Sequence, residues 1–219
     1  MVPGSGPGRR KRLRIPPHME ASLAFTGVSR SFGRLKVLSA LSGRVSTGEV
    51  LLIRGRNGSG KSTLLKCLAG LIRPDAGQIE YREGGEVQDD DGRRRSSGYV
   101  APDLAFYEEL SVLENLELFA RLRGLPRSRA EEWTARVALP PHRLGGALSS
   151  GMRQRLRWAW ALMPRPAMLL LDEPFQNLDA EGEALARELL AEHLTQGFAV
   201  VASPTDLDLP RTGARLELG

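Results

Sequence analysis

The chain has 219 residues, 41% of them hydrophobic and 26% charged, which is enough for one or two domains with a sizeable core. No apolar run approaches the ~18 residues a bilayer requires, the longest being the six from Trp158 to Met163, and a single cysteine excludes an internal disulfide or a Cys-rich zinc site. The net charge of +5 is local, because Arg9, Arg10, Lys11, Arg12 and Arg14 stand in a Pro/Gly-rich segment without acids and the rest of the chain carries no net charge.

Residues 1–19 therefore read as a disordered basic tail, and no nucleic-acid partner is expected. The lone cysteine and the lack of an apolar signal core near the start suggest a cytoplasmic chain. From Glu20 onward, Leu23, Phe25 and Val28 predict a strand, and Val37 to Val45 a second. Val50-Leu51-Leu52-Ile53 predicts a buried third strand.

That strand runs into Gly55-Arg56-Asn57-Gly58-Ser59-Gly60-Lys61-Ser62-Thr63, which fits G-x-x-x-x-G-K-[ST]; a helical pattern to about Leu71 follows. Strand, loop and helix in this order are the context a phosphate loop requires. Gly55, Gly58 and Gly60 permit a backbone that turns N–H groups inward, and Asn57 and Ser59 complete the turn. The helix N-terminus adds open N–H groups and about half a positive charge. Lys61 would reach the β- and γ-phosphates, and the Ser62 hydroxyl would ligate Mg²⁺. The pattern implies a nucleoside triphosphate ligand.

Further on, 73–77 reads as a turn and 78–81 as a short strand. Residues 82–97 are almost wholly polar and read as a solvated loop; Gly98 to Ala101 is another short strand. Ser111-Val112-Leu113-Glu114 and Ser128-Arg129-Ala130-Glu131 are capping-box patterns, each predicting a helix start. A third helix is predicted over 149–162. Strand signals return at 167–171 and 198–202, around a helix over 181–194. A mostly parallel α/β core of residues 20–103 and 163–219, carrying a helical insertion over 104–162, is the architecture this order suggests. Cys67, on the helix after the phosphate loop, reads as a small buried hydrophobe.

Met168-Leu169-Leu170-Leu171-Asp172-Glu173 is an apolar strand ending in two carboxylates. In a parallel sheet the carboxyl ends of strands border the ligand crevice. Asp172 is placed to hold Mg²⁺, and Glu173 to polarise the water that attacks the γ-phosphate. With Leu148-Ser149-Ser150-Gly151-Met152 shortly upstream, residues 20 to about 206 resemble the ATP-binding cassette (ABC) ATPases, whose signature is Leu-Ser-Gly-Gly-Gln. The resemblance implies a RecA-like phosphate-loop core with an antiparallel β part and a helical signature subdomain. It also implies two subunits facing head to tail, as a homodimer or with a second ATPase subunit, each signature capping the other's ATP. Ser149 and Gly151 would make that contact, although Ser150 and Met152 depart from the pattern.

The same resemblance makes Phe32 the aromatic that stacks on adenine, against a core Phe at a strand end. It puts Asp179 in the interface loop Asn177-Leu178-Asp179. Pro102 falls where the family has a Gln contacting Mg²⁺, with Asp103 the nearest substitute. Pro204 falls near the usual His at the γ-phosphate, leaving Ser203 or Thr205 to supply a hydroxyl. The implied function is the ATP-hydrolysing subunit of a transporter, peripheral on the cytoplasmic face of the inner membrane and docked on a membrane-spanning permease through Leu104 to Tyr107, for which packing inside the helical insert is the alternative. Chain length and the Gly98–Pro102 segment look like haem exporters of cytochrome c maturation. A low-turnover ATP-gated regulator and a soluble non-transport clamp are the alternatives.

Overall fold

The computed structural model describes residues 20–219; the basic segment 1–19 lies outside the described residues. Two sheets form. The first is antiparallel and is made by β1 (Ala21–Phe32), β2 (Leu35–Ser46), β4 (Ala76–Glu83) and β5 (Glu86–Gln88) in the order β2-β1-β4-β5. The second is wholly parallel and built from β3 (Val50–Gly55), β6 (Ser97–Val100), β7 (Met168–Asp172), β8 (Phe198–Ser203) and β9 (Thr212–Leu218) in the order β6-β7-β8-β3-β9.

The parallel sheet is covered on both faces, which is why β3, β7 and β8 read as unbroken apolar runs instead of alternating ones. Leu51, Ile53, Leu170 and Val200 face a core shared with helix α1 (Lys61–Leu68) and with Leu23, Phe25 and Tyr81 of the antiparallel sheet. Cys67 is fully buried there, as expected, and burial raises its thiol pKa. Val50, Leu52, Leu171 and Val201 face the opposite core. That core is filled from α3 (Val112–Leu122), α4 (Arg127–Arg136), α5 (Ser150–Leu162) and α6 (Ala180–His193). Trp158 of α5 is its largest fully buried side chain, and its indole N–H donates to Pro174 O at 3.1 Å. Truncating such a residue to Ala typically costs ~3–5 kcal/mol.

The capping box at Ser111 is present: its hydroxyl accepts from Glu114 N, and the Glu114 carboxylate takes the Ser111 N–H at 2.8 Å. Other expectations need correction. Ser128 caps nothing, because α4 starts one residue earlier, at Arg127, with Pro126 at the cap. Pro at this position supplies the extended backbone that leads into a helix. Helix α1 ends at Leu68, before the expected Leu71, because Gly70 takes a left-handed φ of 75° and hands its N–H to Cys67 O.

Residues 82–97 are not a solvated loop. They hold the end of β4, the strand β5 and a short helix α2 (Asp90–Arg95), capped by Asp89 Oδ1 on Gly92 N at 2.6 Å. The acids and arginines pair within the helix, Arg93 with Asp90 and Arg94 with Asp91. Arg94 also reaches Gly70 O at the end of α1, where a cation suits the helix dipole. The last strand, β9, was not predicted. Among the described residues no helix is long and apolar enough to cross a membrane.

Candidate nucleotide site

Strand β3 ends at Gly55, and a Cβ there would sit 2.4 Å from Leu218 O and 2.5 Å from Ser59 Oγ. Only glycine fits between the loop and β9. The turn is completed by Gly58 and Gly60, at φ of 84° and 97°, conformations that L side chains rarely adopt. Asn57 and Gly58 stand exposed at its tip. Helix α1 opens at Lys61 with no side-chain cap and no acid in its first turn. Its leading N–H groups, those of Ser62 and Thr63 included, are therefore open to an anion. Ser59 Oγ is buried without a partner.

Lys61 is only 5% exposed, and its ammonium donates to Gly55 O at 2.7 Å and Arg56 O at 3.1 Å. The cation thus pins the entry to the loop while standing at its mouth. An anion-shaped backbone, an orphan hydroxyl and a fixed cation suit a phosphate chain.

Sheet order brings the carboxylates here. One strand, β8, separates β7 from β3, so Asp172 and Gly55 end on the same edge. Asp172 is buried. Burial pushes its carboxyl pKa above the ordinary value, and the Ser62 hydroxyl hydrogen bond and the Lys61 charge pull it part of the way back. A buried carboxylate beside a hydroxyl favours a cation. Among the described residues no cluster of three or more His, Cys, Asp or Glu could hold a metal by protein ligands alone. Mg²⁺ suits this arrangement, since it commonly takes one or two protein oxygens and fills its shell with phosphate and water.

Glu173 follows in a left-handed conformation, φ 48°, with its N–H on Ala202 O at 3.0 Å. Such a backbone costs a non-glycine residue ~1–3 kcal/mol. Lys61, Ser62 and Asp172 are the side chains the fold brings together, with Glu173 the next residue along the chain.

The two departures from the expected pattern sit on neighbouring loops. After β6, Pro102 is exposed and Asp103 ion-pairs with Lys66 of α1 at 2.7 Å. At the end of β8, Ser203 is buried and its hydroxyl accepts from Thr205 N at 3.2 Å, so it braces the turn. Thr205 and Pro204 are exposed.

The signature residues form a second group. Ser149 caps α5, accepting from Met152 N at 3.2 Å, and is exposed. A Cβ on Gly151 would meet Asn177 O at 2.8 Å, so the signature turn backs onto the loop Asn177–Asp179. Asp179 caps α6, its Oδ1 accepting from Gly182 N at 2.8 Å. Among the described residues no hydrogen bond joins Ser149, Gly151 or Asp179 to the phosphate loop.

Phe32 is 47% exposed, which removes the core-residue alternative, and Arg30 lies over its ring at 4.9 Å. Phe106, in contrast, packs edge-on to Trp160 at 4.9 Å, while Leu104 and Tyr107 line open grooves. Three residues of this region were not singled out from the sequence: Lys66, Gln154 and Arg157. Gln154 Nε2 donates to Pro174 O at 2.9 Å, directly after Glu173, and the Arg157 guanidinium reaches Pro102 O at 2.8 Å. A cation on the phosphate-loop helix opposite a lone acid was the available signal for Lys66.

The model of the ABC transporter family matches residues 38–176. The chain is 37% identical over 188 residues to the sulfate/thiosulfate import ATP-binding protein CysA of Synechocystis sp., covering 81% of this chain and 53% of that protein. It is 37% identical over 171 residues to the daunorubicin resistance ATP-binding protein DrrA3 of Streptomyces coeruleorubidus, covering 75% and 54%. The chain thus spans about half the length of the curated relatives it matches. Its fold superposes with a TM-score of 0.72 and 26% identity on the ATP-binding cassette MJ0796, solved as a dimer in a post-hydrolysis state with ADP and Pi, over 84% of this chain and 88% of that one. With phosphate loop, paired carboxylates and signature turn all within one α/β fold, the chain belongs to the ABC transporter family.

Proposed function

We propose that this chain is the ATP-binding and ATP-hydrolysing subunit of an ABC transporter, working as a pair around two ATP and driving a separate membrane-spanning permease. The observation that carries this reading is the meeting of Lys61, Ser62 and Asp172 at one edge of the parallel sheet, with Glu173 next along the chain. The loop N–H groups and Lys61 bind and orient the phosphates. Ser62 and Asp172 would hold Mg²⁺, which when bound would supply charge neutralisation at the phosphates. Glu173, on its strained turn, accepts a proton from the attacking water. Phe32 offers an exposed ring face for the base.

The separation of Ser149, Gly151 and Asp179 from the phosphate loop supports a head-to-tail pair, in which a second copy or a second ATPase subunit completes each site. Residues 20–103 and 163–219 are read as the nucleotide-binding core and 104–162 as the signature subdomain. The permease would sit over the groove of about 480 Å³ lined by Leu71, Tyr99, Leu104, Phe119 and Trp160. Arg95 and Arg123 edge it without an ion-pair partner among the described residues, so an amphipathic segment bearing acids fits best. The protein would then be peripheral on the cytoplasmic face of the inner membrane. The narrower reading, haem export, rests on chain length and the Gly98–Pro102 segment. The relatives above are named for sulfate or thiosulfate import and daunorubicin resistance, which lends haem no support.

Glu173→Gln tests the reading. The amide keeps the shape and loses the base, so ATP affinity should persist while turnover falls ~10²–10⁴-fold. The ATP-bound dimer should accumulate in gel filtration. A variant that stays monomeric and turns over at the parent rate would remove the role given to Glu173.

A further inference from the structure

Arg157 lies midway along α5, on the same helix face as Gln154. Its Nη2 donates to Pro102 O at 2.8 Å and to Leu104 O at 3.3 Å, its Nε also reaches Leu104 O at 3.3 Å, and its Nη1 donates to Gln154 Oε1 at 3.1 Å. The guanidinium also lies over Phe106 at 5.6 Å. Among the described residues it has no ion-pair partner, so a half-buried cation spends its fork on neutral oxygens. Charge-assisted bonds to these carbonyls offset part of the burial, and the rigid planar fork can hold three groups at fixed angles.

Gln154 continues the connection. Its Oε1 takes the Arg157 N–H while its Nε2 donates to Pro174 O, and Trp158 donates to that same carbonyl. The loop Pro102–Leu104 is held from its other side by the Asp103–Lys66 pair, and Lys66 is on the helix that begins with Lys61. One hydrogen-bonded path therefore runs from the phosphate-loop helix through Lys66, Asp103 and the loop carbonyls to Arg157, Gln154 and the turn that carries Glu173.

We propose that Arg157 is a positioning residue for the Glu173 turn: it transmits the placement of the Pro102–Leu104 loop, through Gln154, to the carbonyl of Pro174. Pro102 offers the loop no N–H and no side-chain amide, so its carbonyl is the handle that remains. The inference rests on the reading of Glu173 as the residue facing the attacked phosphate.

The experiment compares Arg157→Ala, Arg157→Lys and Gln154→Ala with the parent. For Arg157→Ala, turnover at saturating ATP should fall by ~10- to ~10²-fold, the cost of a displacement near 1 Å at a reacting group, with KM for ATP unchanged. Arg157→Lys keeps a charge and one bond but has no fork, so it should recover melting temperature without recovering turnover. Combining Arg157→Ala with Gln154→Ala should slow the enzyme no more than the worse single change. A purely structural Arg157 would instead lower stability and rate together, recover both with Lys, and add to Gln154→Ala.

A second readout does not depend on turnover. Gln176 N–H donates to Glu173 O at 3.1 Å and reports the turn, so its hydrogen exchange should quicken in Arg157→Ala. Unchanged exchange together with an unchanged rate overturns the proposal while leaving the Glu173 reading intact. If the parent itself does not hydrolyse ATP, that reading falls, and exchange alone decides whether Arg157 governs the turn.

Discussion

Placing a histidine at position 204 tests how the γ-phosphate end of the site is equipped. Residue 204 follows the last residue of β8, and the Glu173 N–H donates to Ala202 O of the same strand end, so position 204 lies two residues from the backbone that anchors Glu173. Ser203 is turned inward to its own bend, leaving the exposed Thr205 hydroxyl as the nearest donor in the parent. Removing one preorganised donor from a transition state costs ~3 kcal/mol, so supplying one through Pro204→His has a ceiling near 10²-fold in turnover.

The backbone cost is small. Position 204 is exposed and its freed N–H meets water, while loss of the ring makes the unfolded chain looser by ~0.4–1 kcal/mol. For a domain of this size that amounts to a fall of about 1–4 °C in melting temperature. Steady-state phosphate release and thermal unfolding of both proteins measure the two numbers. The expected result is a faster and slightly less stable enzyme. A variant that melts as calculated but hydrolyses no faster than the parent would refute the placement of residue 204.

Two further outcomes are expected. Lys61→Ala removes the cation at the loop mouth, and with charged hydrogen bonds worth ~1.5–3 kcal/mol, calorimetry should show ATP affinity falling by ~10- to ~10²-fold; unchanged affinity would undo the loop assignment. Asp172→Asn should raise the melting temperature of the nucleotide-free protein while abolishing stabilisation by ATP with Mg²⁺. Because burial raises the Asp172 pKa, its ionised form costs stability above that pKa, and the cost disappears as pH falls through it. The stabilising effect of Asn should therefore be largest at neutral pH and shrink on acidification; a gain that is flat with pH would contradict a titrating carboxylate at this site.

Much of the site was legible because its chemistry is local. The run Gly55–Thr63 and the pair Asp172-Glu173 carry their meaning in adjacent residues, as does the Ser111–Glu114 cap. What was missed depends on distant partners. Residues 89–95 look like a solvated charge run until Asp90 and Asp91 pair with Arg93 and Arg94 and the helix settles against the end of α1. Strand β9 follows Pro210 and alternates charged with small or apolar residues, as an edge strand with one wet side does, and only its pairing with β3 defines it. Ser128 had the right residue types for a cap, but Pro126 had already set the helix start. Arg157 could not be singled out, because carbonyl oxygens 53 and 55 residues away leave no mark on the sequence around it.

The two sheets differ in when they can exist. All four antiparallel strands come from residues 21–88, so that sheet can pair as soon as the first 88 residues are available. Among the described residues strand β3 pairs with β8 and β9, and Gly55 is wedged against Leu218, so the phosphate loop, which Val37 and Leu38 of β2 back at Gly60, is not closed on its other side until β9 pairs. Pairings that span so much sequence carry a large loop-closure entropy and form late. During synthesis the chain would therefore hold a folded sheet beside an unformed nucleotide site, and its affinity for ATP would switch on in a single late step with the docking of β9.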